Sequence, residues 1–167
     1  EIVDRVMVMK DGTLLGDQPA HLELVGLGQA LPAGPACGDV GEVVLAGRGL
    51  RYRWPGAKVL ALDGVDVEFH AGERVAIMGP NGSGKTTLLN IIGGLDAASE
   101  GQVSVLGKAL DHTSHAERAV LRREYMGFIF QSYNLLPVYT VFENVELPLI
   151  LNKVDPQERE QKVNQAL

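Results

Sequence analysis

Apolar residues recur along this chain in different spacings, and each spacing predicts a type of secondary structure. Residues 6–9 are a continuous apolar run of strand length, and residues 10–13 follow as a hairpin turn with Asp-Gly at its tip. Residues 50–54 and 65–69 alternate between apolar and polar side chains, which is the pattern of a half-buried strand. Residues 19–42, rich in proline and glycine, are predicted to be a connector between these β-structures.

A strand, a glycine-rich loop and a helix are predicted to follow one another between residues 74 and 95. Residues 74–78 form a largely apolar run of strand length, and residues 79–86 read Gly-Pro-Asn-Gly-Ser-Gly-Lys-Thr. This loop fits G-x-x-x-x-G-K-[ST], the motif that wraps the phosphates of a nucleotide. One apolar helix face is indicated after the loop by the spacing of Leu88, Ile91, Ile92 and Leu95. Strand, loop and helix is the order that the motif requires.

The chemistry of the loop follows from its residue types. Glycines allow unusual backbone angles and let several N–H groups point at one anion. The positive end of the helix dipole favours the same negative charge. Lys85 is predicted to bridge the β- and γ-phosphates as a compact cation, and the Thr86 hydroxyl to reach Mg²⁺.

Further elements are predicted downstream. Residues 102–105 are a short strand, residues 116–124 a charged helix, and the apolar run 126–130 a strand that ends at Gln131. The Gln131 amide could meet Mg²⁺ or an attacking water there. A last helix opens at residue 155, where Asp155 can cap it, Pro156 suits its first turn and Glu158 can complete a capping box. The partly apolar, proline-containing stretch 134–149 indicates a docking surface.

Composition excludes several classes of function. The length of 167 residues suits one core, and the net charge of −6 disfavours a nucleic-acid partner reached through bulk electrostatics. A single cysteine, Cys37, provides neither a disulfide framework nor a cysteine metal site. The sequence contains no apolar run of membrane-spanning length and no secretory signal pattern, so a cytoplasmic location is expected.

Residues 43–167 closely resemble the first half of an ATP-binding cassette (ABC) transporter ATPase. Four segments carry the resemblance: Gly-Pro-Asn-Gly-Ser-Gly-Lys-Thr-Thr at 79–87, Leu-Asn-Ile-Ile-Gly-Gly-Leu-Asp at 89–96, Phe-Ile-Phe-Gln-Ser-Tyr-Asn-Leu-Leu-Pro at 128–137, and Thr-Val-Phe-Glu-Asn-Val-Glu-Leu-Pro-Leu at 140–149. The last two favour the lipoprotein-release and macrolide-export branch. The resemblance implies an α/β phosphate-loop NTPase of ABC type, with an antiparallel β subdomain and the start of the helical subdomain.

The resemblance also implies roles for individual residues. Lys85 neutralises the β/γ charge, and Gln131 is the Q-loop glutamine that senses the γ-phosphate and, with Thr86, contacts Mg²⁺. Trp54 is the expected adenine-stacking aromatic, with Tyr52 as the alternative because the register is open by two residues. ATP would be held by Gly79, Pro80, Asn81, Gly82, Ser83, Gly84, Lys85, Thr86 and Thr87.

Several parts of the family pattern are missing from this sequence. It lacks the Leu-Ser-Gly-Gly-Gln signature, the strand motif with the catalytic glutamate and the switch histidine. Residues 1–13 instead resemble the segment that follows the switch histidine. We therefore expect residues 1–18 to be a tail-like segment, 19–42 a connector and 43–167 the first half of an incomplete cassette. Two tandem cassettes in a longer polypeptide are the preferred explanation, and a permuted domain is the alternative.

The expected function is that of an ATP-binding domain of an exporter on the inner face of the cell membrane. Its expected partners are a transmembrane permease and a second ATPase domain, with no nucleic acid. A soluble ABC protein acting on ribosomes or nucleic acid is the alternative. An unrelated phosphate-loop kinase would need a basic lid, for which only Arg118, Arg122 and Arg123 are candidates. Because the glutamate is missing, the 167-residue chain is expected to bind ATP·Mg²⁺ without hydrolysing it.

Overall fold

The computed structural model describes residues 5–19, 41–110, 113–130, 132 and 134–167. The chain divides into two compact units, Glu1–Arg122 and Arg123–Leu167. The elements in chain order are β1 (Arg5–Lys10), β2 (Thr13–Pro19), β3 (Val43–Tyr52), β4 (Leu62–His70), β5 (Val75–Met78), α1 (Lys85–Ile92), β6 (Glu100–Val105), β7 (Lys108–Ala109), α2 (His115–Tyr125), α3 (Val141–Leu151) and α4 (Pro156–Ala166).

A three-stranded sheet in the order β2-β1-β5 contains the strand that precedes the glycine-rich loop. β1 and β2 form the predicted antiparallel hairpin, and Met7 and Met9 of β1 are fully buried, which confirms the predicted buried strand. β1 also pairs in parallel with β5, with Arg5 opposite Val75 and Val8 opposite Met78. Strands β1 and β2 therefore belong to the same sheet as β5, a point that the sequence left open.

A second sheet is antiparallel throughout, in the order β4-β3-β6-β7. Val65 and Val67 of β4, and Val103 and Val105 of β6, are buried two residues apart, because successive side chains of a strand point to opposite faces. This sheet confirms the predicted antiparallel β subdomain. Its buried apolar residues are Leu50, Leu62, Val65, Val67, Val103 and Val105.

Helices α3 and α4 make up most of the ordered structure of the second unit. The Thr140 hydroxyl caps α3 in a capping box with Glu143. This cap is not among the sequence predictions, which describe residues 134–149 only as a docking surface. α3 and α4 are joined by an ion pair of 2.9 Å between Arg159 and Glu146. Among the described helices, none combines the length and the apolar character that a membrane crossing requires.

The start of α4 confirms one part of its prediction and corrects another. Asp155 is the N-cap and accepts a hydrogen bond of 2.9 Å from the Gln157 amide, and Pro156 occupies the first turn. Glu158 was expected to bond back to the cap residue, but its carboxylate pairs with Lys162 at 2.7 Å. Residues four apart are neighbours on a helix surface, so the lysine one turn ahead competes with the backbone N–H for the carboxylate.

The strand predicted for residues 126–130 does not form. These residues have no regular secondary structure, and Ile129 is fully exposed. A strand needs a neighbour that accepts and donates its backbone hydrogen bonds, and no described strand pairs with this segment. Phe128 and Phe130 instead stack on each other, with ring centroids 5.9 Å apart and planes 10° from parallel.

Candidate nucleotide site

The glycine-rich loop lies between the end of β5 at Met78 and the start of α1 at Lys85, as the motif predicts. Gly84 is the N-cap and has a φ of +96°, which favours glycine. The first backbone N–H groups of a helix have no acceptor within it, so they are available to an anion. Leu88, Ile91 and Ile92 are buried and anchor the helix. Leu95, predicted on the same face, lies beyond the end of the helix at Ile92 and is partly exposed.

Two glycines of the loop lie directly against backbone. A Cβ atom at Gly79 would overlap the carbonyl oxygen of Met9 in β1. A Cβ atom at Gly84 would overlap the carbonyl oxygen of Ala61, which lies just before β4. The loop is therefore packed against two separate stretches of chain. Any larger residue at either glycine would push the loop away from its supports.

Lys85 is held over the loop by the loop's own oxygens. Its ammonium donates to the carbonyl oxygen of Gly79 at 2.9 Å and to that of Pro80 at 2.7 Å. The hydroxyl of Ser83 lies 3.5 Å from the same nitrogen. Fixing a flexible lysine side chain costs conformational entropy, and here the folded loop already holds the side chain before a ligand binds. The charge is therefore already in place beside the backbone that would surround a phosphate.

The three hydroxyl residues of the loop differ in their exposure. Ser83 and Thr87 are buried, whereas Thr86 is exposed. Thr86 is thus the hydroxyl that a cation beside the loop could reach. Within the described residues no group of three or more His, Cys, Asp or Glu side chains could hold a metal ion. The site suits Mg²⁺ that arrives with a nucleotide, because this ion takes few protein ligands and keeps phosphate oxygens and waters.

A cavity of about 330 Å³ joins the loop to the end of the β3 strand. Trp54, which follows that strand, is 45% exposed and shares the cavity with Lys85 and Thr86. The volume lies at the lower end of the range for small-molecule sites. The full lining is Trp54, Ala61, Gly82, Gly84, Lys85, Thr86 and Thr87.

Tyr52, the alternative stacking residue, does not line this cavity. Its ring meets the ring of Trp54 edge to face, with centroids 5.0 Å apart and planes at 86°. Partial burial, and secondarily the carboxylate of Asp96, raises the pKa of the Tyr52 hydroxyl. Of the two aromatic residues, the structure thus brings Trp54 to the loop and places Tyr52 behind it.

The other predicted site residues divide between the loop and the undescribed positions. Gly79, Pro80, Asn81 and Ser83 lie in the same loop as the lining residues Gly82 and Gly84. Gln131 lies outside the described residues, so its role stays a prediction. The contacts of Met9 and Ala61 leave no signal in the sequence, because they involve backbone carbonyls, and any residue type supplies a carbonyl.

Comparison with known proteins places this site in a family. Residues 62–167 match the ABC transporter family. The lipoprotein-releasing system ATP-binding protein LolD of Pseudomonas syringae pv. tomato is 42% identical over 71% of this chain and 52% of its own length. The macrolide export ATP-binding/permease protein MacB of Marinobacter nauticus is 49% identical over 65% of this chain and 17% of its own length. This chain thus spans about half the length of the LolD relative.

Solved structures agree with these sequence matches. The ATP-binding cassette MJ0796, in a dimeric post-hydrolysis state bound to ADP and Pi, superposes with a TM-score of 0.66 at 36% identity, covering 72% of this chain and 54% of its own. A second dimeric structure of MJ0796, described as a bacterial ABC transporter cassette, gives a TM-score of 0.64 at 38% identity, with coverage of 70% and 53%. The fold is therefore that of an ABC ATPase cassette, and the chain belongs to the ABC transporter family.

Proposed function

We propose that this chain is an ATP-binding part of an ABC exporter, in which nucleotide binding and hydrolysis drive transport through a membrane partner. The observation that carries the proposal is the meeting of Trp54, Lys85 and Thr86 on one cavity at the phosphate loop. These residues offer a flat ring, a fixed cation and an accessible hydroxyl, which suit a base, a polyphosphate and Mg²⁺ in turn.

Each part of the site has a role in this proposal. The N–H groups of the loop and of the first turn of α1 bind the phosphates, and Lys85 neutralises the β/γ charge. The Thr86 hydroxyl and the Gln131 amide would hold Mg²⁺, which would supply positive charge to offset the negative charge of the phosphates. Trp54 stacks on the adenine. Thr87 lines the same cavity from its buried position.

The proposed partners follow from the named relatives. One is called an ATP-binding protein of a lipoprotein-releasing system, and another an ATP-binding/permease protein for macrolide export. We infer a transmembrane permease as partner, and a second cassette as well because the MJ0796 cassettes are dimeric. Such an assembly would place this domain on the inner face of the membrane. No described residue or named relative favours the alternative role on ribosomes or nucleic acid.

Lys85→Ala tests the proposal most directly. Removing the ammonium should weaken ATP·Mg²⁺ binding by roughly 10- to 150-fold, since a hydrogen bond to a charged group is worth about 1.5–3 kcal/mol. The measurement is isothermal titration calorimetry of the 167-residue chain, with thermal unfolding recorded for each variant.

Lys162→Ala is the matched control, because it removes the same charge from an exposed position on α4. This control should bind ATP as the unmodified chain does. Unchanged ATP affinity in Lys85→Ala, with the fold intact, would refute the nucleotide-site proposal.

A further inference from the structure

The turn between β1 and β2 lies against the phosphate loop. The Gly12 N–H donates to the carbonyl oxygen of Ser83 at 3.3 Å, and the Gly12 carbonyl accepts from the Asp63 N–H at 2.9 Å. Ser83 is in the loop, and Asp63 is at the start of β4. One residue at the tip of the hairpin thus ties the loop to the strand beside it, using both of its backbone groups.

Packing around the tip involves Ala61, just before β4, and the phosphate loop. A Cβ atom at Gly12 would lie 2.9 Å from the carbonyl oxygen of Ala61, the oxygen that also packs against Gly84 of the loop. The fully buried Met9 of β1 also lies against the loop, where a Cβ atom at Gly79 would overlap its carbonyl oxygen and one at Gly84 would touch its side chain. The phosphate loop therefore rests on the hairpin along β1 and at the turn.

The position of Trp54 is linked to the same contacts. The Ala61 N–H donates to the carbonyl oxygen of Tyr52 at 2.8 Å, and Trp54 follows Tyr52 by two residues. Gly12 thus lies against both the phosphate loop, at Ser83, and Ala61. Ala61 is in turn bonded to Tyr52, at the end of the strand that precedes Trp54. A change in the spacing between Gly12, Ser83 and Ala61 would therefore change the distance between Trp54 and the phosphate loop.

We propose that the β1–β2 hairpin is a positioning element of the nucleotide site, with Gly12 as its positioning residue. This proposal rests on the proposed nucleotide-binding function. The hairpin acts through Ser83 and Ala61, without touching the nucleotide itself. It holds the phosphate loop at a fixed distance from the segment that bears Trp54, so that phosphates and base are bound together.

Gly12→Ala and Gly72→Ala are a matched pair for testing this. Both glycines lie in turns with nearly equal backbone angles, φ of +79° and +77°, so alanine strains both in the same way. A Cβ atom at Gly72 meets nothing within 4 Å, whereas one at Gly12 would press on the Ala61 carbonyl. The difference in nucleotide affinity between the variants therefore reports the contact between residue 12 and Ala61, separately from the backbone strain that alanine causes in either turn.

The assay is ADP·Mg²⁺ binding by calorimetry, together with the phosphorus-31 resonance of the bound β-phosphate. Gly12→Ala should weaken binding by roughly 2- to 13-fold, the range of one net hydrogen bond, and should shift the β-phosphate signal. Gly72→Ala should keep the unmodified chain's affinity and signal. The phosphorus-31 signal is the deciding measurement, because a general loss of stability would lower the folded fraction without shifting the resonance of the bound β-phosphate.

Hydrogen exchange in the unmodified chain gives a second measurement that does not depend on a variant folding. Saturating ADP·Mg²⁺ should slow exchange of the Gly12 amide, which bonds to the loop, and leave the Gly72 amide unchanged. Equal behaviour of the two amides would overturn the proposal, as would a folded Gly12→Ala with the unmodified chain's affinity and phosphorus signal. If the unmodified chain does not bind ADP, both the nucleotide site and the positioning role are overturned. If Lys85→Ala weakens binding as expected but Gly12 behaves like Gly72, only the positioning role is overturned.

Discussion

Replacing Trp54 with alanine is the sharpest test of how the base is held. Trp54 is the only tryptophan in the chain, lines the cavity of the phosphate loop and is 45% exposed. A flat ring at that position can stack on any base, because stacking does not read the exocyclic groups. We therefore expect Trp54→Ala to weaken ATP and GTP binding to the same extent.

The expected size follows from the geometry of the two aromatic residues. Loss of base–aromatic stacking costs about 1–3 kcal/mol, which is roughly 5- to 150-fold in affinity. Tyr52 supports the Trp54 ring edge to face at 5.0 Å, and such a pair is worth about 0.5–1.5 kcal/mol. Tyr52→Ala should therefore weaken binding by less, roughly 2- to 13-fold. Trp54→Phe should keep most of the affinity.

Intrinsic fluorescence makes the first measurement simple. Because the chain has one tryptophan, a nucleotide that stacks on it should change the emission of the unmodified chain during a titration. Calorimetry then compares the variants, which lack this signal when Trp54 is replaced. The reasoning is refuted if Tyr52→Ala weakens binding more than Trp54→Ala does. It is also refuted if Trp54→Ala affects ATP but leaves GTP unchanged.

Three further predictions concern turnover and the second unit. The 167-residue chain should bind ATP·Mg²⁺ yet release phosphate no faster than its Lys85→Ala variant; turnover that is sustained and disappears in that variant would contradict this. Thr140→Ala should lower the free energy of unfolding of the second unit by about 1 kcal/mol through loss of the α3 cap, and denaturant titration should show Thr140→Ser to be nearly neutral. Hydrogen bonds from the backbone and hydroxyl of Thr140 hold the pKa of Glu143 below its ordinary value of 4.5. The ionised Glu143 therefore contributes its full stability above pH 4.5, and this contribution is lost as the pH falls through the lowered pKa. The loss of helical circular dichroism on acidification should accordingly be smaller in Glu143→Gln.

Local patterns predicted the elements whose information lies in adjacent residues. The order of strand, loop and helix, the hairpin turn at Asp11 and Gly12, and the Asp155 cap formed as expected, although the helix ends at Ile92, before the predicted Leu95. Each depends on short-range rules, such as backbone angles open to glycine, helical spacing, or a side chain that bonds to a nearby N–H. For such features the sequence is sufficient.

Predictions failed where a partner outside the segment decides the outcome. The apolar run 126–130 has the composition of a strand, but a strand forms only against another one, and no described strand pairs with it. The Glu158 capping box failed for a local reason instead, because its carboxylate pairs with Lys162 four residues ahead on the same helix. The role of Gln131, which lies outside the described residues, remains a prediction from family resemblance.

The sequence by itself determined that this chain has a phosphate loop, with its cation and its hydroxyl, since these are a contiguous motif. The tertiary structure decided what the loop rests on. β1 pairs with β5, from which it is separated by more than 60 residues of chain, and this pairing brings the Met9 carbonyl against Gly79 and the Gly12 amide to Ser83. Those contacts are made by backbone atoms that every residue carries, so no residue type reveals them. They arise only when the sheet aligns two distant strands in one register.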